Sequence, residues 1–287
     1  MIINGFLNWR QSGKDMNMTF KTMLTVFWVC FFSAIFFSFT GAETSAETSA
    51  ETSAAPAMVA DARAIVDEAV NYLREETSES VVHMTIHRPD WERTMTLKAW
   101  TKGKADSIFR IEAPPKDKGN GTLKKGKGMW IFNPKVNRVI KLPPSMMSQS
   151  WQGSDFSNND LAKSDTVIDD YDHALMGTET LDGKTVYVIQ SIPKPDAPVV
   201  WGMQTLKIRE DFILLRQEFY DEDMALVKTL SMEKIGMIGG KLYPMQWQMA
   251  KADVEDEYTR IDYETIVFNL DLSDHMFTIS NLKKPGR

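Results

Sequence analysis

The sequence holds a single cysteine, Cys30, and that residue falls inside an apolar run near the N-terminus. Beyond that run, disulfides and thiolate chemistry are excluded. A lipidation box would need a small residue just before the cysteine, and Val29 stands there. Basic residues are also short: 33 Lys and Arg against 39 Asp and Glu, a formal net charge of -6. That balance argues against a general nucleic-acid binder, which would show a basic face. It also gives no general attraction to an anionic membrane surface.

Catalytic and metal-binding patterns are missing or fail on inspection. No G-x-S-x-G elbow occurs. Ser231 and Lys234 match S-x-x-K without its partner motifs, and on a strand their side chains would point to opposite faces. The stretch from Gly121 to Lys127 matches G-x-x-x-x-G-K. Gly128 follows where Ser or Thr should hold magnesium, and Met129, Trp130, Ile131 and Phe132 read as a strand instead of the phosphate-binding helix. It reads as a Gly/Lys hairpin turn. His83 and His87 fall on a strand pattern, where four residues span roughly 13 Å, too far for one ion. His173 and His275 are isolated. The acidic turns at 221–223 and 253–257 lack calcium-loop spacing, and the carboxylates Asp169 and Asp170 have no pocket signature around them. The expectation is a protein that is not an enzyme and uses no cofactor or metal.

The N-terminal end has a character of its own. Lys21 precedes an unbroken apolar run at 23–39, which gives way to small residues at Thr40, Gly41 and Ala42. This is a signal-peptide pattern. The rival is an uncleaved anchor, for which the run is slightly short against the roughly 20 residues of a membrane span. Residues 43–54 then read ETSA three times over, a polar spacer unable to bury a core. The expected organisation is an N-terminal extension and signal peptide at 1–42, a tether at 43–57, and one folded domain at 58–287.

Within that domain the period of the apolar residues changes. Ala62, Ile65, Val66, Ala69, Val70 and Leu73 recur at helical spacing, which predicts an amphipathic helix over 59–74. From Ser80 onward the period is two. Val82, Met84 and Ile86 alternate with His83, Thr85 and His87; Met95, Leu97 and Ala99 with Thr96 and Lys98; Val186 and Val188 with Tyr187 and Ile189; Met245, Trp247 and Met249 with Gln246 and Gln248. Turn signals recur at Lys102-Gly103, Asn133-Pro134, Asp182-Gly183 and Gly239-Gly240. Strand, tight turn and strand, many times over, predict an antiparallel meander. The stretch 143–164 interrupts it. It is too long for a turn and carries Met146, Met147, Trp151, Phe156 and Leu161 among polar residues, which predicts a movable lid with few hydrogen bonds to the sheet.

What the chain has in abundance is large apolar side chains, with 18 methionines and 8 tryptophans. Methionine fills irregular space and accepts variable partners. The candidate lining of an apolar cavity and its lid is Met84, Ile86, Met95, Leu97, Trp130, Met146, Met147, Trp151, Phe156, Leu161, Met203, Met245, Trp247 and Met249. An ordinary filled core is the competing reading of the same residues.

The segment SWQGSDFSNNDL at 150–161, the pair MWIFNP at 129–134 and RVIKLP at 138–143, and the ending at 268–282 carry a resemblance. Over residues 59–284 the chain resembles the LolA-like outer-membrane lipoprotein-sorting superfamily, in its less characterised branch of secreted envelope proteins. The resemblance implies a mainly β fold with a few α-helices: an unclosed antiparallel barrel or curved sheet covered by helices. It further implies a cavity for lipid or lipoprotein acyl chains, a periplasmic location, and hand-over from an inner-membrane exporter to an outer-membrane acceptor. Fold alone does not fix function. A non-enzymatic envelope accessory protein with a filled core fits the same pattern.

Overall fold

The computed structural model describes residues 61–163 and 166–283. The apolar run at 23–39, Cys30, the ETSA repeats and the proposed domain boundaries lie outside them. Among the described residues no helix is long and apolar enough to cross a membrane.

Helix α1 (Ala62–Arg74) opens the domain. The Asp61 carboxylate accepts from the Arg63 amide, satisfying one of the free donors of the first turn. The apolar stripe read from sequence is the buried one: Ala62, Ile65, Val66, Ala69 and Leu73 are all covered. The helix starts a little later than the periodicity suggests, because Asp61 is its cap.

The strands are β1 (Thr77–Arg88), β2 (Trp91–Lys102), β3 (Asp106–Ala113), β4 (Gly121–Lys125), β5 (Gly128–Asn133) and β6 (Arg138–Lys141). After two short helices, α2 (Asn158–Ala162) and α3 (Val167–Asp170), come β7 (Tyr171–Leu181), β8 (Lys184–Pro193), β9 (Met203–Arg209) and β10 (Leu214–Tyr220). The last strands are β11 (Leu226–Ile238), β12 (Lys241–Lys251) and β13 (Tyr258–Phe268), and α4 (Ile279–Lys283) ends the described chain. They form one 13-stranded sheet in the order β6-β5-β4-β3-β2-β1-β13-β12-β11-β10-β9-β8-β7. Every pairing is antiparallel. Two meanders therefore meet at the β1–β13 seam, and the sheet curves without closing. The turns fall where sequence places them: Asp182 and Gly183, and Gly239 and Gly240, all hold positive φ, as tight hairpins require. The G-x-x-x-x-G-K stretch is the β4–β5 hairpin.

This order explains the long interruption. β6 and β7 are consecutive in the chain but occupy opposite edges of the sheet. The segment between them has to travel from one edge to the other, and does so across the concave face.

Period two settles the faces. Inward residues of β1 to β5, with the crossing segment, form one core of Val82, Met84, Ile86, Met95, Leu97, Ile111, Met129, Leu142 and Trp151. Inward residues of β7 to β13 form another with α1 and α3. Along β8 it is Tyr187 and Ile189 that pack into that core. The convex face of β2 to β5 is covered separately. Trp100, Ile108, Leu123 and Phe132 pack under Phe277 and Leu282 of the C-terminal segment. Gly121 allows that approach, since a Cβ there would meet Leu282 Cδ1 at 2.7 Å.

The crossing segment is fastened by a buried charge. Asp155 has a fully buried side chain and accepts from Arg88 Nη2 at 2.9 Å and Nη1 at 3.1 Å. Thr259 donates to the same carboxylate at 2.7 Å and accepts from the Asp155 amide at 2.9 Å. Arg88 keeps a second partner, Glu257 Oε2 at 3.2 Å from its Nε, so losing Asp155 forfeits the hydrogen bonds to a charged group, worth about 1.5–3 kcal/mol, without the larger cost of a wholly unpaired buried charge. Asp155→Ala should therefore lower the free energy of unfolding by about 1.5–3 kcal/mol in urea titrations. A change below about 1 kcal/mol, the worth of an exposed pair, would show that the fastening is dispensable.

Candidate functional site

The two inward cores are joined only through the partly buried Leu161, Ile261 and Tyr263, which pack against both. Between them, beneath α1, lies a cavity of about 280 Å³. Its floor is the concave sheet: Val82 and Met84 of β1, Leu97 and Ala99 of β2, Leu230 and Met232 of β11, Trp247 and Met249 of β12, and Ile261 and Tyr263 of β13. Its roof is Val70 and Leu73 of α1 with Phe156, Leu161, Val167 and Trp201. The volume sits just below the range of about 300–1,000 Å³ common for small-molecule pockets.

The polar residues of the lining gather toward its ends. Arg74, Ser78, Ser80, Thr101 and Ser107 lie at one end; Asn159, Asp160, Lys163, Thr166, Gln204 and Gln217 line the region under α2 and the strands β9 and β10. Asp160 is the one carboxylate of the lining. It pairs with Lys228, both side chains being almost fully buried, and it also closes a capping box with Ser157. The Lys228 ammonium lies 4.9 Å from the Trp201 ring and 5.3 Å from that of Phe219, so its charge is met by two π-faces as well as the carboxylate. Burial pushes the Tyr243 phenol well above its ordinary value and that of Tyr263 up to about 12. Both stay neutral at physiological pH and act as hydrogen-bonding groups.

No curated protein matches the sequence. A family model described as an uncharacterized protein matches residues 103–284. Among solved structures, a DUF1329 family protein from Desulfovibrio piger is 28% identical with a TM-score of 0.68, over 77% of this chain and 99% of that one. A LolA superfamily protein from Nitrosomonas europaea is 27% identical with a TM-score of 0.64, over 77% and 99%. The chain belongs to the family of that matching model and is a LolA-like protein. A Vibrio parahaemolyticus protein described as an outer membrane lipoprotein-sorting protein domain shares the fold at 19% identity, with a TM-score of 0.68 over 78% and 98%.

In this LolA-like chain the structure gathers half of the sequence-derived candidates around the cavity. Met84, Leu97, Trp151, Phe156, Leu161, Trp247 and Met249 line it. The others are placed elsewhere. Ile86 and Met95 share the concave face but are fully buried in the filled core next to it. Met146 and Met147 pack on the rim of that core. Met245 lies over Gly236, where a Cβ would meet its Cε at 2.7 Å. Trp130 is on the convex face, against the core under Phe277, with Lys141 Nζ 5.6 Å from its ring. Met203 alternates with the cavity residues Gln204 and Leu206 and so faces away; its sulfur accepts from Gln190 Nε2. Period two identifies a face, but it cannot tell how far along a strand the filling stops. The polar lining was missed altogether, although Ser78, Ser80 and Thr101 stand in the same alternating register as Met84 and Leu97.

The expectation of a loosely bonded lid is corrected. Trp151 Nε1 donates to Thr122 Oγ1 at 2.9 Å, and the Trp151 amide donates to Phe156 O at 2.7 Å. Asn158 Nδ2 donates to Met146 O and Gln149 O at 3.0 and 3.2 Å. With Asp155 on Arg88 and Thr259 and Asp160 on Lys228 as well, this part of the segment is tied to the sheet at several strands. In hydrogen-exchange mass spectrometry the amides of Trp151, Ser154, Asp155 and Asn158 should exchange as slowly as those of the central strands. Exchange on the scale of exposed turns would restore the movable lid.

Proposed function

We propose that this protein is a non-enzymatic carrier of the bacterial envelope that holds an acyl chain of a lipid or lipoprotein in the cavity under α1. The observation that supports it is the cavity itself, an unfilled apolar space between two packed cores on the concave face of a LolA-like sheet. Moving an acyl chain from water into it gains about 0.8 kcal/mol per methylene, so a few carbons give usable affinity with no charged contact. The signal-like run at 23–39 supports export to the periplasm, with cleavage near Ala42 and residues 43–57 as a tether. An inner-membrane donor and an outer-membrane acceptor would be the partners. N-terminal sequencing of the cellular protein should begin near Glu43; an intact run in the membrane fraction would make it an anchored protein.

Ala99 gives a test of the carrier itself. It points into the cavity and has no bulk of its own. Ala99→Phe should fill the space, abolish binding of a fluorescent fatty-acid probe and leave the fold intact. Overpacking a filled core instead costs about 1–3 kcal/mol. A destabilised variant of a protein that never bound the probe would favour the accessory reading. Native mass spectrometry of protein purified without detergent provides an independent check, with a co-purifying lipid as the expected result.

A further inference from the structure

The inward face of β1 changes character along its length. Ser78 and Ser80 come first, then Val82 and Met84, then Ile86 in the filled core. The neighbouring strands follow the same gradient. Thr101 stands opposite Ser78 and Ala99 opposite Ser80 in β2, and Ser107 of β3 stands opposite Thr101. One end of the cavity is therefore a cluster of hydroxyls, and the surface from there inward is hydrocarbon.

Most of these hydroxyls have partners. Ser78 Oγ and Thr101 Oγ1 share a hydrogen bond of 2.7 Å, and Arg74 Nη2 donates to Ser107 Oγ at 3.2 Å. Ser80 is different. It is 6% exposed and lines the cavity, and its hydroxyl is not among the enclosed side-chain atoms left without a partner: it opens onto the cavity space. A hydroxyl open to the cavity can donate to a polar atom of whatever enters it. The Arg74 guanidinium stands at the same end and holds the Gly103 carbonyl at 3.0–3.2 Å. Arg74 also lines a surface pocket with Asn71, Glu75, Glu76, Gly103 and Lys104, so this end lies next to solvent. Inward from there the hydrocarbon surface runs past Trp151 beside the filled core, and the second polar group of the lining, Asn159 to Lys163 with Gln204 and Gln217, lies under α2.

Resting on the carrier reading, we infer that the cavity takes a single-chain amphiphile with a carboxylate head, the head seated at Ser80 and Arg74 and the chain running past Met84 toward Trp247 and Met249. The hydroxyls donate to carboxylate oxygens and the guanidinium supplies the opposite charge. The only carboxylate in the lining, Asp160, is engaged by Lys228, so nothing in the lining draws a cationic head. A volume of about 280 Å³ accommodates one such chain.

The test is calorimetric titration of the full chain with dodecanoate and with dodecyltrimethylammonium, which have the same hydrocarbon and opposite heads. Dodecanoate should bind at least about tenfold tighter. Ser80→Ala should weaken dodecanoate about tenfold or more, the worth of one hydrogen bond to a charged group, and leave the ammonium probe unchanged. Ser80→Thr, which keeps a hydroxyl, should retain most of the affinity. Thermal melts on both variants identify any loss due to misfolding. Equal binding of the two heads, or indifference to Ser80→Ala in a folded protein, overturns the head-group assignment and leaves the carrier reading in place. No binding of either probe overturns both.

Discussion

A sheet that curves without closing must have its concave face covered by something other than itself. Here the two free edges, β6 and β7, are neighbours in the chain and strangers in the sheet. Each apolar side chain on the concave face is worth roughly 1.5–3 kcal/mol when buried. The fold captures that energy with two covers: the segment that crosses between the edges, and α1. The crossing segment fills its half completely, with Trp151 as the central plug. The narrower α1 covers its half with Val70 and Leu73 and leaves space at the boundary. The cavity is the region that neither cover fills.

The covers are also held differently. The crossing segment is fixed at two buried charges, Asp155 on Arg88 and Thr259, and Asp160 on Lys228. Hydrogen bonds of this kind to a charged group are worth about 1.5–3 kcal/mol. The polar ties of α1 are of both kinds: Arg63 on Asp169 at 2.8 Å and Tyr72 donating to Leu242 O at 2.5 Å are exposed, while Lys241 on Glu75 and Tyr243 donating to Leu73 O at 3.3 Å are partly or fully buried. Exposed ties contribute about 0–1 kcal/mol each.

Much of the architecture was legible because it follows from periodicity. The stripe from Ala62 to Leu73 could only be a helix lying on something apolar, and the alternation from Val82 onward could only be strands. The hairpins at Asp182-Gly183 and Gly239-Gly240 follow from residues that tolerate positive φ. What the one-dimensional pattern does not carry is closure. Nothing in residues 143–164 says that they span two sheet edges, so their apolar side chains resembled a flap. Nor does alternation carry depth or curvature. Met84 and Met95 are register partners, yet only Met84 reaches the cavity. Trp130 belongs to the convex side, which is apolar here because the C-terminal segment covers it.

The inward-facing polar residues are the part of the pattern that stability alone does not explain. A chain selected only to fill its concave face would place aliphatic side chains at Ser78, Ser80, Thr101 and Ser107, as it does at Val82, Met84, Leu97 and Ile111 on the same strands. Burying hydroxyls there costs desolvation for each, and the Ser80 hydroxyl opens onto the cavity. Local rules are broken where a function needs them broken. An apolar floor with a polar end is not what a filled core requires, but it matches an amphiphile in both shape and order. The methionines and tryptophans that first draw attention in the sequence describe where a hydrocarbon chain would lie. In a carrier of that kind, the serines beside them are where the polar head of the chain would sit.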